Sequence, residues 1–228
     1  MEKSNYRILL VSFFNEEAYG LRALHSILHH KGYTTKMLFI KMESRRKHNN
    51  FIDQRGQYIG NLNALTHLEE KILVEFIADF NPNVIGFSIV SSHFHLYRKV
   101  YKLIQDLGDF KIVLGGWQPS LNPDECLPYC DMLCVGEGED AFPELIDRLM
   151  TKSPVKDTKN IYLREGDIIT RNNVRQLAGD LSSYPVPVFD NEFCSYIEND
   201  ELVNKDPYIT NTRYGTFIGR GCPHQCTY

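Results

Sequence analysis

From Tyr6 to Met150, short apolar runs alternate with segments of helical spacing. The run YRILLVSF, Tyr6–Phe13, is nearly continuous and rich in β-formers, as expected of a strand covered on both faces. Ala23, Leu24, Ile27 and Leu28 then recur at helical spacing, and the pattern stops at Lys31-Gly32, a C-cap signal. YTTKMLFIK, Tyr33–Lys41, predicts a second strand. After a polar insertion, Met42–Leu62, a helix carrying Leu65, Leu68, Ile72, Phe76 and Phe80 is expected to end at Asn81-Pro82. A third strand is predicted at Asn83–Ser91, then a helix bearing Tyr97, Val100, Tyr101, Ile104 and Leu107. The fourth and fifth strands fall at Phe110–Gly116 and Asp131–Gly138, and a last helix carries Phe142, Leu145, Ile146 and Leu149.

Five strands separated in this way imply right-handed crossovers and a parallel sheet. The expected fold class is α/β, a flavodoxin-like (Rossmann-like) sheet of order 2-1-3-4-5, with ligands outside the carboxyl ends of strands 1 and 3. Past Met150 the pattern changes. IYLREGDIIT, Ile161–Thr170, predicts a hairpin turning at Glu165-Gly166, and SYPVPVFD, Ser183–Asp190, a proline-stiffened connector. Three parts are expected: an α/β domain over 1–150, a hairpin and linker over 151–209, and the start of a further domain over 210–228.

Composition adds boundaries. The 228 residues are 43% hydrophobic and 24% charged, enough to fill a core, and the net charge of −4 offers no basic footprint for nucleic acid. The basic run at Lys41–Asn50 is short and polar-flanked, the mark of a solvated loop. The apolar run Ile8–Phe14 is too short for a membrane span and lacks a cleavage site behind it, so no membrane partner and a cytoplasmic location are expected. Six cysteines without a leader read as reduced thiols, buried or metal-bound.

The predicted strand ends are specific in composition: FFNEEAYG after strand 1, SIVSSH after strand 3, GGWQPS after strand 4 and GEGED after strand 5. Glycines there admit a ligand to the backbone and serines offer short hydroxyls, although tight turns with serine N-caps need the same residues. GEGEDA, Gly136–Ala141, matches a dinucleotide fingerprint. It sits on the wrong strand, and Glu137, Glu139 and Asp140 would face a pyrophosphate, so that reading fails. The acids suit a helix N-terminus instead. His25 and His29 stand at zinc-ligand spacing without a third ligand, which predicts a partly exposed pair. Cys126, Cys130 and Cys134 are expected to be buried as small hydrophobes. No phosphate loop and no nucleophile elbow is present.

The order of these loops, followed by the hairpin, the connector and RGCPHQC, resembles the cobalamin-binding-domain radical SAM enzymes. Val113–Glu125 and Asp131–Leu145 are similar to the closing strands of that family's B12 domain, and Ile218–Tyr228 to the opening of its C-x-x-x-C-x-x-C cluster motif. The resemblance implies cobalamin as cofactor and a radical SAM barrel of the same parent chain as partner. It also implies a parent enzyme using S-adenosylmethionine and a 4Fe-4S cluster for methyl transfer or carbon-skeleton chemistry. Cys222 and Cys226 would be the first two cluster ligands, with the third falling just after Tyr228. The sequence therefore looks cut inside the motif, and it is expected to be catalytically incompetent alone.

Methyl-transferring B12 domains carry D-x-H-x-x-G after strand 1. The matching positions here hold Asn15, Glu17 and Gly20, so base-off cobalamin without a histidine ligand is implied. By the same resemblance Ser88, Ser91 and Ser92 would bond the nucleotide tail, Gly115 and Gly116 would admit it, Trp117 would stack at the mouth, and Gly136, Glu137 and Gly138 would border the cleft. The alternative is a scaffold or docking domain of a radical SAM protein that no longer binds cobalamin. A receiver-like regulator is disfavoured by the missing acidic pocket after strand 1.

Overall fold

A computed structural model describes residues 2–41, 65–166 and 168–209. The insertion 42–62, the basic run beyond Lys41 and both motif cysteines, Cys222 and Cys226, lie outside the described residues.

The alternating pattern folds as parallel strands with helical crossovers. β1 (Arg7–Phe13), β2 (Thr34–Ile40), β3 (Val84–Ser88), β4 (Lys111–Gly115) and β5 (Met132–Cys134) form the parallel centre of the sheet. They alternate with α1 (Tyr19–His30), α2 (His67–Phe80), α3 (Phe94–Ile104) and the short α4 (Trp117–Leu121) and α5 (Pro123–Cys126), and α6 (Ala141–Thr151) follows β5. Side chains of β1 alternate between two apolar layers. Leu9, Val11 and Phe13 pack with α2 and α3, whereas Ile8 and Leu10 pack with α1 and α6. Both faces are covered, which is why the run is apolar throughout.

The expected order 2-1-3-4-5 stands inside a longer sheet, β7-β6-β5-β4-β3-β1-β2-β8-β9. The predicted hairpin is β6 (Ile161–Glu165) with β7 (Ile168–Arg171), antiparallel on β5. At the other edge β8 (Cys194–Glu198) runs parallel to β2, with β9 (Glu201–Val203) antiparallel to it. β8 was not expected, because CSYIE has no apolar alternation of its own. Its residues are buried because Ile197 joins the core layer of α2, and Cys194 and Tyr196 join that of α1.

Helix ends follow their local chemistry. Thr66 and Glu69 form a reciprocal capping box on α2, and Asn81 ends that helix in the left-handed region. Gly32, at φ +88°, follows α1. Two expected core positions differ. Leu68 is 48% exposed, and Glu69 takes the buried position beside it because its carboxylate caps Thr66 and accepts from Lys41 Nζ at 2.5 Å. Leu107 lies beyond the end of α3 and is exposed.

One buried ion pair ties the C-terminal segment to the first crossover. Arg22 on α1 and Asp206 are both fully buried and meet through two bonds, 2.6 and 2.8 Å. The remaining Arg22 donors reach the carbonyls of Glu16 (2.7 Å), Glu17 (2.7 Å) and Val188 (3.1 Å). The guanidinium lies against the rings of Phe189 and Phe39. Each N–H thus has an acceptor, the condition under which a buried guanidinium is tolerated.

Candidate functional site

A cavity of about 220 Å³ opens at the carboxyl ends of β1, β3, β4 and β5, between the sheet and helices α1 and α6. Gly86 lies on its floor. Leu10, Gly86 and Val113 are side by side in register on β1, β3 and β4. A Cβ on Gly86 would lie 3.0 Å from Phe142 Cζ and 3.1 Å from Leu10 Cδ2. A glycine inside a buried strand marks a close approach, and here the ends of Phe142 and Leu10 pack where a Cβ would stand, on the face where the cavity opens. Leu21 and Leu24 of α1 and Phe142 of α6 complete the apolar wall.

The mouth is built from strand-end loops. At Gly116 the backbone has φ +96°, and a Cβ there would come within 2.8 Å of the Ile89 carbonyl oxygen and 2.9 Å of its nitrogen, so only glycine fits. That close approach locks the β3 and β4 loops together: Ile89 N–H donates to Gly115 and Gln118 N–H to Ile89. Gly136, at φ +78°, is held by two side chains. Its N–H donates to Ser120 Oγ (3.0 Å), and Asn160 Nδ2 donates to the neighbouring Val135 carbonyl (2.7 Å). Asn160 Oδ1 in turn accepts from Arg175 N–H, so every polar group of this buried amide that bears on the loop is used.

Of the residues expected at a site, Gly20, Ser88, Gly115, Gly116, Gly136, Glu137 and Gly138 line this one cavity. Asn15, Glu17, Ser91, Ser92 and Trp117 are not part of its lining. Asn15 Oδ1 accepts from Ala18 N–H at 2.9 Å, fixing the turn before α1, and Glu17 Oε1 accepts from the Tyr208 hydroxyl at 3.1 Å. Ser91 and Ser92 sit in an exposed 3₁₀ turn, and Trp117 is 70% exposed on the outer side of α4. The rest of the lining, including Leu10, Gly86, Phe87, Val113 and Phe142, was not expected at a site. Gly86 carried the one readable signal, a glycine amid VIGFS.

The thiols near the site are neutral. Cys134 borders the cavity and its pKa is pushed up to about 12, by burial first and then by Glu139. Cys126 is raised to about 12 by burial and Glu125, and Cys130 is raised further. Cys126 and Cys134 are buried as expected, whereas Cys130 is half-buried against the edge of the core. The His25–His29 pair is corrected. His25 is fully buried with Nδ1 2.8 Å from Thr35 Oγ1, and only His29 is exposed, because α1 turns the first inward against Phe193. Burial, then His29 and Arg22, lower the His25 pKa to about 4. Among the described residues no cluster of three or more His, Cys, Asp or Glu is arranged to hold a metal, and no helix is long and apolar enough to cross a membrane.

An open flavodoxin-like α/β sheet with a ligand-sized cavity at its switch point defines the class of this molecule. Residues 8–146 match the B12 binding domain family, and the chain belongs to that family. It is 25% identical over 163 residues to an uncharacterized methyltransferase of Pyrococcus horikoshii, covering 68% of this chain and 33% of that protein. The chain thus spans about a third of the curated relative it matches. Its fold is shared with the radical S-adenosylmethionine methyltransferase TsrM of Kitasatospora setae, solved with cobalamin and a 4Fe-4S cluster. That likeness has TM-score 0.58 and 16% identity, over 82% of this chain and 32% of that one. It is shared also with the cobalamin-dependent S-adenosylmethionine radical enzyme OxsB, solved with aqua-cobalamin (TM-score 0.53, 16% identity, 75% and 22% covered).

Proposed function

We propose that this chain binds cobalamin, with the nucleotide tail inserted beside Gly86 and the corrin ring resting over the strand-end loops. The observation that carries the reading is the cavity itself. An apolar slot that a single Cβ on β3 would crowd opens at the edge where sheets of this family take their ligand. Leu10, Val113 and Phe142 supply its walls, and Ser88 with Gly115 and Gly116 gives the tail a hydroxyl and a bare backbone to lie along. Gly20 and Gly136–Gly138 border the ring, whose peripheral amides are donors suited to the carboxylates of Glu137 and Glu139. Glu17 at the histidine position of the methyl-transferring signature favours base-off binding without a protein imidazole on cobalt.

When bound, the cofactor supplies a methyl carrier. The residues of this chain hold and orient it and keep water from its buried tail. We infer that the whole protein is a cobalamin-dependent radical SAM enzyme acting in methyl transfer or carbon-skeleton chemistry. Its barrel would follow this domain, and Cys222 and Cys226 would be cluster ligands. Incubation with hydroxocobalamin, desalting and a visible spectrum test the first statement. Near-stoichiometric retained corrinoid with a base-off spectrum is expected, and a colourless protein would favour the scaffold reading.

A further inference from the structure

The cavity has two chemically different ends. Its inner end is formed by Leu10, Gly86 and Val113 on the sheet and by Leu21, Leu24 and Phe142 on the helices, with no polar side chain among them. The backbone groups of the three strand residues are committed to the parallel ladder. The polar lining residues stand at the mouth, Ser88 as the last residue of β3 and Glu137 and Glu139 in the loop after β5. Ser88 stands two residues beyond Gly86, about 7 Å along the strand. A ligand group reaching the inner end therefore meets no protein donor or acceptor.

We propose that this inner end selects among corrinoids by their lower base, accepting dimethylbenzimidazole and discriminating against bases with a polar outer edge, adenine and hydroxybenzimidazole. The inference rests on the corrinoid-binding reading above. In a corrinoid the imidazole nitrogens of the base lie beside the ribose, so its six-membered ring points away from the nucleotide and enters first. In dimethylbenzimidazole that ring ends in two methyl groups, which match Leu10, Leu21, Leu24 and Phe142. In adenine it carries ring nitrogens and an amino group, and in hydroxybenzimidazole a hydroxyl. Each buried polar group left without a partner weakens binding roughly 5- to 100-fold. Plain benzimidazole loses only methyl contacts, on the order of fourfold for each methyl.

Equilibrium dialysis of the 228-residue chain, read by corrin absorbance, tests this with four probes: cobalamin, the adenine cobamide, the hydroxybenzimidazole cobamide and cobinamide, which has no base. Cobalamin is expected to bind at least tenfold more tightly than either polar-edged cobamide. Gly86→Val, whose side chain occupies the inner end, is expected to bring cobalamin down to the level of cobinamide. Leu24→Asn, a change in a partly exposed wall residue that leaves the core intact, is expected to narrow the preference over adenine at least threefold. Equal binding of all three cobamides, within threefold, overturns the base selection and leaves corrinoid binding standing. Failure of every probe, cobinamide included, overturns both.

Discussion

Replacing Asp206 by Asn leaves Arg22 buried and charged without a counter-ion. Both side chains are fully buried at 2.6 Å, so solvent does not screen the loss. The Asn amide also points a donor where Arg22 needs an acceptor, while Tyr208 N–H still seeks the same atom group. Breaking a buried pair from one side costs about 3–5 kcal/mol. For a chain of this length that lowers Tm by on the order of 10 °C. Urea unfolding followed by circular dichroism measures it, with Lys111→Ala as the reference, because Lys111–Asp131 is a half-exposed pair at 3.3 Å. Exposed pairs of that kind contribute up to about 1 kcal/mol. A loss below 1 kcal/mol for Asp206→Asn would refute the claim that this pair anchors the C-terminal segment. Because Arg22 also holds the carbonyls of Glu16 and Glu17, limited proteolysis of the variant is expected to nick both the 14–18 loop and the 188–208 segment.

Gly116→Ala is expected to destabilise the chain by about 2–3 kcal/mol, since its methyl meets the Ile89 backbone in a conformation reserved for glycine; a urea midpoint equal to the parent's would contradict that contact. His25 gives a pH signature. Its pKa is about 4 folded and near 6.5 unfolded, so between those values the unfolded chain binds the extra proton and stability falls as pH is lowered. The full window is worth roughly 3 kcal/mol, present above pH 6.5 and lost by pH 4. His25→Gln is expected to flatten this part of the curve, and an unchanged slope would show that other groups cause it.

Much of the parallel centre was legible because each strand is a continuous apolar run bounded by glycine, proline or asparagine, and each crossover shows helical spacing. β8 was not legible, since CSYIE is buried by elements far away in sequence rather than by its own pattern. Arg22 was missed for a related reason. An arginine on a helix is expected in solvent, and its partner stands 184 residues later. At the site, the strand-end glycines were readable from composition, whereas the inner wall was not. Leu10, Val113 and Phe142 look like any core residues until the register sets them around Gly86.

The central claim is that the cavity floored by Gly86 receives the tail of a corrinoid. Titration of hydroxocobalamin into the parent chain and into Gly86→Val, with urea midpoints measured alongside, tests it most directly. The added side chain presses on the ends of Phe142 and Leu10, so the variant is expected to lose about 1–3 kcal/mol and to stay folded, which the urea midpoints check. The account predicts one corrinoid per parent chain and at least tenfold weaker binding to the variant. Equal affinity in parent and variant, both folded, would contradict it.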